Sequence, residues 1–344
     1  MEDIKELGAL IDVRTEEAKK KDYRFEEIVA SVAPVNWIEK PQNTWRKFPI
    51  FNQNGSGSCV AQTLRKMAGV YIWLKTQVFI ALSASHIYQR RSNKPAAGMS
   101  GVNVFEVGQK GITLEEFAPS ENMSDAQMDA VQVLPFMEEV GKVFKLGNYL
   151  VVPIKDIDTI ASIIQTTGKA VMVWFYFQGD EWGNVPVVKN PNLTPENAPA
   201  RHSIAAVDFT LYNGEKAIII DESWGQGTAL NGQRIITESF FKQRNFFAAH
   251  FMNFAFEIAP VAKPKYTFTK DLQFEMTDPD VKALQDVLKY EGLFPANAES
   301  TGYFGAITKK GVQDWQIKHK IVSSGAGFGR VGPLTRAKLN SIYS

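Results

Sequence analysis

The chain is short of cysteine, histidine and net charge, and each shortage removes a class of function. One cysteine, Cys59, among 344 residues allows no intramolecular disulfide, which fits a reducing compartment rather than a stapled secreted scaffold. The four histidines and the single cysteine form no His/Cys/Asp cluster with metal-ligand spacing, so no metal is expected. A net charge of +1 offers no global attraction to nucleic acid or to an anionic membrane, and neither is expected as a partner. Long hydrophobic runs are also missing. The most apolar stretch, Ala68 to Ser85, is interrupted by Lys75 and Gln77 and reads as a buried core helix followed by a turn. The first residues, MEDIKELGALIDVRTEEAKKK, are charged and lack an apolar signal-peptide core, so synthesis in the cytoplasm without a signal peptide is expected. GAGFGRVG near the end lacks both a preceding strand and the lysine of a phosphate-binding loop; it reads as a turn before the last helix. No cofactor is expected.

A hydrophobic content of 44% is enough to fill a sizeable core, and the length suggests one large and one small domain. Residues 1–34 are charged and helix-prone, with one amphipathic helix expected over TEEAKKKDYRFEEIVASVA. Pro34, Pro41 and Pro49 punctuate an extended segment before the turn-rich loop NQNGSGS, and a long helical pattern starts at Cys59. Helical candidates follow at Glu106–Gly111 and Ala126–Phe144. Strand-like runs then begin at Tyr149: YLVVPI, AVMVWFYF, SIAAVDFTL, KAIIIDESW and FAFEIA, with turn signals such as Asn213-Gly214 between them. Helices first and strands later indicate an α+β domain rather than an alternating doubly wound sheet. Residues 261–270 read as a linker, and 271–344 as a small all-α domain of three helices, two of them with proline at the start.

A lone cysteine is ordinarily a small buried hydrophobe; the setting of Cys59 argues otherwise. It stands where a Gly/Ser-rich loop turns into a helix, and free N–H groups and the helix dipole favour a thiolate there. Gly55 and Gly57 let a substrate backbone approach. Gln53, six residues upstream, can place an amide donor beside the nucleophile, so that it and the Cys59 N–H form an oxyanion hole.

FNQNGSGSCVA resembles the nucleophile motif of the papain family of cysteine peptidases. VNWIEK resembles the start of the mature domain in that family, and LSASHIYQRR with GMSGVNVFEVGQKGI resembles the segment leading to its substrate-binding Gly-Gly turn, which implicates Gly101 alongside Gly57. RHSIAAVDF and IIIDESWG are similar to its catalytic histidine strand and its Asn-Ser-Trp-Gly strand. The resemblance covers residues 35–260 and implies a two-lobed fold, a helical lobe beside a β-barrel-like lobe. It implies Cys59 as nucleophile, His202 as its base and later acid, Gln53 as oxyanion donor and Trp224 as a shield for the histidine. Three departures stand out. The position of the family's asparagine is Glu222 in the register of Ser223-Trp224-Gly225; Asp221 is the alternative, but strand alternation points it to the opposite face. Ser56 and Val60 replace a disulfide cysteine and an aromatic residue. The N-terminal extension is shorter than the long pro-segments of lysosomal relatives, and whether it covers the cleft stays open. Arg201, next to His202, reads either as a solvated charge or as a contact for substrates bearing a free carboxylate.

The last segment, with Val281, Leu284, Gln285 and Leu288, then Gly302, Phe304, Gly305 and Thr308, then Val331, Gly332 and Thr335, resembles the three-helix type of peptidoglycan-binding domain. Val281, Leu284, Leu288, Ile307, Val312, Trp315 and Leu339 are expected in its core, and Gln285, Tyr303 and Phe304 as candidate wall contacts. The two resemblances together imply a cysteine endopeptidase, endolysin-like, that cuts peptidoglycan peptides as a monomer at the bacterial cell wall or as part of a virion. The alternatives are a wall-anchored protease acting on proteins and a catalytically inactive wall-binding protein.

Overall fold

The computed structural model describes residues 8–28, 32–191, 198–256, 263–294 and 300–344. They divide into two compact units, Met1–Glu257 and Ile258–Ser344.

The first unit contains eleven described strands: β1 (Ala9–Leu10), β2 (Met99–Ser100), β3 (Phe144–Leu146), β4 (Tyr149–Val151), β5 (Val171–Phe177), β6 (Val187–Val188), β7 (Ala200–Tyr212), β8 (Glu215–Asp221), β9 (Gln233–Thr237), β10 (Asn245–Phe251) and β11 (Phe254–Phe256). Seven make one sheet in the order β4-β10-β5-β7-β8-β9-β6, all antiparallel except the parallel pair β6–β9. The sheet does not close: β4 and β6 lie at its two ends, so the expected barrel-like lobe is an open sheet. Asn213 and Gly214, with φ of 49° and 81°, join β7 to β8 through a two-residue hairpin, the left-handed backbone that Asn-Gly favours. Helix Ile157–Thr167, capped by the Asp156 side chain on Thr159 N–H, buries Ile160, Ile163 and Ile164 in the same core as Val173, Phe175, Ile204, Ile218 and Phe240. Each such side chain contributes about 1.5–3 kcal/mol on burial.

Helices occupy the earlier part of the unit. The longest, Cys59–Thr76, is buried along most of its length, which explains why its apolar residues run nearly all round it. It is tied to the sheet by polar contacts. The Ser203 hydroxyl on β7 donates to Thr63 Oγ1 at 2.9 Å, and Lys66 Nζ meets Asp221 Oδ2 on β8 at 2.8 Å. Two expected helices are broken. In place of one helix after residue 15 there are two short ones, Glu16–Lys19 and Phe25–Ile28. Between them Asp22 is held by Arg14 at 2.6 Å and Tyr23 O accepts from Val151 N–H at 2.9 Å, so the backbone is claimed by β4. The stretch expected as a helix from Ala126 to Phe144 splits into Asp125–Asp129 and Pro135–Gly141, with Pro135 starting the second. Strands β9 and β10 fall outside the strand-like runs read from the sequence; they flank a helix, Glu238–Arg244.

The second unit packs helices Pro279–Tyr290, Ala306–Lys318 and Pro333–Tyr343 around Leu284, Leu288, Val312, Trp315 and Leu339. The segment read as a linker contributes to this core: Phe268 is buried, and Tyr266 N–H donates to Tyr343 O at 2.7 Å. Ile307, expected inside, is 55% exposed, because it opens the helix on the side away from that core. Leu288→Ala should therefore destabilise by about 2–5 kcal/mol, and Ile307→Ser should stay within about 0.5 kcal/mol. Scanning calorimetry of the two variants checks the contrast.

Candidate active site

Backbone pairing between two loops assembles the cleft. The loop before Cys59 meets the loop after β8 through Gln53 N–H to Ser223 O (2.7 Å), Gly225 N–H to Phe51 O (2.9 Å) and the Asn52–Trp224 bridge. Asp125 holds the same loop from the other side: its Oδ1 accepts from Gly57 N–H at 2.9 Å and from the Tyr88 hydroxyl at 2.7 Å. That hydroxyl accepts in turn from Gly98 N–H at 3.0 Å. A Cβ on Gly57 would lie 2.9 Å from Gly98 N, so only glycine fits there.

Cys59 is the first residue of its helix and fully buried. Gln53, also fully buried, has its carbonyl fixed by the Ser223 hydroxyl at 2.6 Å and spends one N–H on Ser56 O at 2.6 Å. Its other N–H is not used by those bonds. His202, near the start of β7, is fully buried, with Nε2 2.9 Å from Glu222 Oε2. Nδ1 has no hydrogen-bond partner of ordinary geometry, while the Cys59 thiol acts on the ring and raises its proton affinity. Trp224 covers the ring at 5.0 Å between centroids, and Trp182 meets it edge-on at 5.9 Å.

Glu222 receives four donors. Oε1 accepts from Trp182 Nε1–H at 2.6 Å and Arg234 Nε–H at 3.0 Å; Oε2 takes His202 and the Ser223 N–H at 3.1 Å. Burial alone pushes this carboxyl up; the charges and hydrogen bonds of His202, Arg234 and Trp182 more than offset that and bring it down to about 2. Burial likewise pushes His202 down, but Glu222 and Cys59 outweigh it and leave the imidazole up at about 9. Asp221 points to the other face, where Lys66 and Gln233 Nε2 (2.8 Å) take its oxygens.

The remaining candidates are scattered. Gly101 begins helix Gly101–Lys110 and packs against Phe247, where a Cβ would approach to 2.7 Å; the glycine set against Gly57 is Gly98. Arg201 is partly buried and borders a cavity of about 550 Å³ with Leu10, Ile11, Val13, Ser92, Asn93 and Ser100. In the second unit Phe304 is fully buried, and Gln285 is committed internally to Tyr303 O, Thr308 Oγ1 and Gly302 N–H. Both are structural, and of the three candidates only Tyr303, 46% exposed, offers a surface. Sequence reasoning missed Trp182, Arg234, Tyr88 and Asp125, which act through contacts far apart in the chain.

It also left open where the N-terminal extension lies. β1 pairs in parallel with β2, and Gly8 O accepts from Met99 N–H at 2.8 Å. A Cβ on Gly8 would fall 1.8 Å from Gly57 O and 3.1 Å from Cys59 Sγ. Gly8 thus sits directly over the cysteine.

The two pKa displacements have opposite signs of linkage. His202, raised from 6.5 to about 9, contributes stability that is complete below pH 6.5 and lost as pH rises through 9. Glu222, lowered from 4.5 to about 2, contributes stability that is complete above pH 4.5 and lost as pH falls through 2. In the intact chain, urea denaturation should show stability declining as pH rises from about 6.5 to 9, and His202→Asn should flatten that decline. Asp221→Asn should cost about 3–5 kcal/mol by stranding Lys66.

Residues 277–339 match the family described as "Putative peptidoglycan binding domain". No curated protein matches the sequence. Among solved structures, xylellain, a cysteine protease from Xylella fastidiosa, superposes with a TM-score of 0.57 at 16% identity, covering 72% of this chain and 95% of its own. The cysteine protease and lectin-like domains of Cwp84, a surface layer associated protein of Clostridium difficile, give 0.53 at 16% identity, with 71% and 56% covered. A variant of the clostridial cysteine protease Cwp84 after propeptide cleavage gives 0.52 at 16% identity, with 68% and 64% covered. The chain therefore joins a papain-like cysteine protease fold to a C-terminal segment that matches a peptidoglycan-binding domain.

Proposed function

We propose that the chain is a cysteine endopeptidase that hydrolyses peptide bonds in cell-wall peptidoglycan. The observation that carries this reading is the arrangement of Cys59 at a helix start, with His202 beside it held through Nε2 by an ionised Glu222. The matched peptidoglycan-binding segment supports the choice of substrate, since tethering raises the local concentration of catalyst at the wall.

In the proposed reaction, the Cys59 thiolate attacks the scissile carbonyl, and the oxyanion is received by the Cys59 N–H and the spare N–H of Gln53. His202, as imidazolium, protonates the departing amine and leaves a thioester. It then takes a proton from water, whose hydroxide displaces the thiolate and releases the carboxylate product. Glu222 is not protonated at any step; it orients the ring and stabilises its charge. Arg201 is a candidate contact for free carboxylates in stem peptides. No carboxylate pairs with it among the described residues, and it borders the cavity beside the cleft. A second reading, a wall-anchored protease for proteins, is favoured by the likeness to a surface layer associated protease.

The extension is read as a removable inhibitory segment. Gly8 lies against Gly57 and Cys59, and one similar structure is described as following propeptide cleavage.

Purified walls should release free amines without new glycan reducing ends, and Cys59→Ala should abolish the release. Casein cleavage with intact walls would favour the second reading. Gly8→Val, whose side chain cannot share space with Gly57 O, should raise the rate of the uncleaved chain by roughly tenfold, equivalent to loosening the segment by about 1.4 kcal/mol. Arg201→Glu should lower cleavage of acidic peptides relative to neutral ones; an unchanged ratio removes Arg201 from substrate recognition.

A further inference from the structure

The third member of the site differs chemically from an amide. A carboxylate beside a buried imidazole attracts the ring's proton more strongly than a neutral group does. The structure places a second charge behind it. Arg234 on β9 is fully buried and its guanidinium is committed on every edge: Nε to Glu222 Oε1 at 3.0 Å, Nη1 to Trp182 O at 2.7 Å and to Val185 O, and Nη2 to Gly183 O at 2.5 Å. Its plane lies near the Trp182 and Trp224 rings, at 5.4 and 5.7 Å. These are the two rings that cover His202.

We propose that Arg234 is a positioning residue that sets the proton affinity of His202 through Glu222. This rests on His202 being the site's base. Strand register supplies the geometry. Ile220 on β8 pairs with Arg234 on β9, and Glu222, two residues on from Ile220, shares its face. Arg234 and Trp182 occupy Oε1, so only Oε2 remains for His202 and the Ser223 N–H. The guanidinium also draws the carboxylate's charge toward Oε1, away from the oxygen that meets the ring. The Glu222–Arg234 pair is then neutral as a whole, as a single amide would be, yet presents a fixed acceptor to the ring. The other titratable group acting on the ring is Cys59 on the helix; Arg201, next along β7, lies on the opposite face by strand alternation, where Lys66 and Asp221 also pair.

The same backbone carbonyls explain why lysine is a poor substitute. A single ammonium cannot reach Glu222 and three carbonyls spread over Trp182–Val185 in one plane.

The test is a double-mutant cycle read by NMR of the His202 imidazole in the full-length chain, in a Cys59→Ala background so that one proton is in play. The signal is assigned by its loss in His202→Asn. Arg234→Gln should raise the His202 midpoint by about one pH unit, because the Glu222 charge is no longer drawn toward Oε1. Glu222→Gln should lower it by about one unit or more. Arg234→Gln added to Glu222→Gln should move it by less than about half a unit, the guanidinium's own direct effect on the ring. An unmoved midpoint in Arg234→Gln, or an equal shift in both backgrounds, overturns the proposal. Should Arg234→Gln not fold, Arg234→Met, which keeps the stem against the two tryptophans, takes its place. If that also fails, Glu222→Gln and the Glu222→Gln/Arg234→Gln pair decide, since neither strands a lone carboxylate. Midpoints less than about half a unit apart uphold the route through Glu222, and a larger gap sinks it. No step uses a substrate, so a chain that shows these shifts but cleaves no peptide would discard the peptidase reading alone.

Discussion

A fully buried carboxylate is tolerable only if every lone pair it loses to water is replaced, and the site is built around meeting that condition for Glu222. Trp182, Arg234, His202 and the Ser223 N–H supply the donors. An ionised carboxylate taken from water costs several kcal/mol unless it is paired and hydrogen-bonded, so these contacts must form together. They come from the Gly179–Trp182 helix, β9, β7 and the loop after β8. Satisfying one side chain thereby fixes the relative positions of four elements, and His202 inherits its place from them.

The opposite face of the sheet uses the same device for a different purpose. Lys66 and Asp221, both buried, pair across the helix–sheet boundary, and Gln233 completes the acceptor. Adjacent acidic residues thus divide the work by alternation: Asp221 anchors the central helix, and Glu222 faces the histidine. A one-residue slip of β8 would exchange them, which is why the register of β7, β8 and β9 matters to the site as much as to the sheet.

The cleft is as notable for what passes over it as for what lines it. Gly8 takes a path that no side chain would permit, and its strand runs parallel to β2. Arg14, clamped between Asp12 and Asp22 at 2.8 and 2.6 Å, and Phe25, buried in the main core, secure the rest of that segment. Its stability is therefore shared with the core it covers.

Local chemistry was legible in the sequence wherever it is written in consecutive residues. The Gly/Ser loop entering a helix at Cys59, the Asn213-Gly214 hairpin, the proline-led helices of the second unit and the alternation separating Asp221 from Glu222 all follow from backbone preferences over a few positions. Features that depend on residues brought from afar could not be read in this way. Arg234 and Trp182 look like ordinary residues in a short strand and a short helix until folding sets them against Glu222. Asp125 grips the loop before Cys59 from 68 positions away, with Tyr88 beside it, and Ile307 and Phe304 differ in exposure for reasons of packing alone. The sequence by itself determined which residues could do chemistry and which way each strand faces, because period and turn geometry are local. The tertiary structure alone decided which charges are neutralised and what covers the cysteine, because burial and electrostatic pairing are properties of neighbours in space.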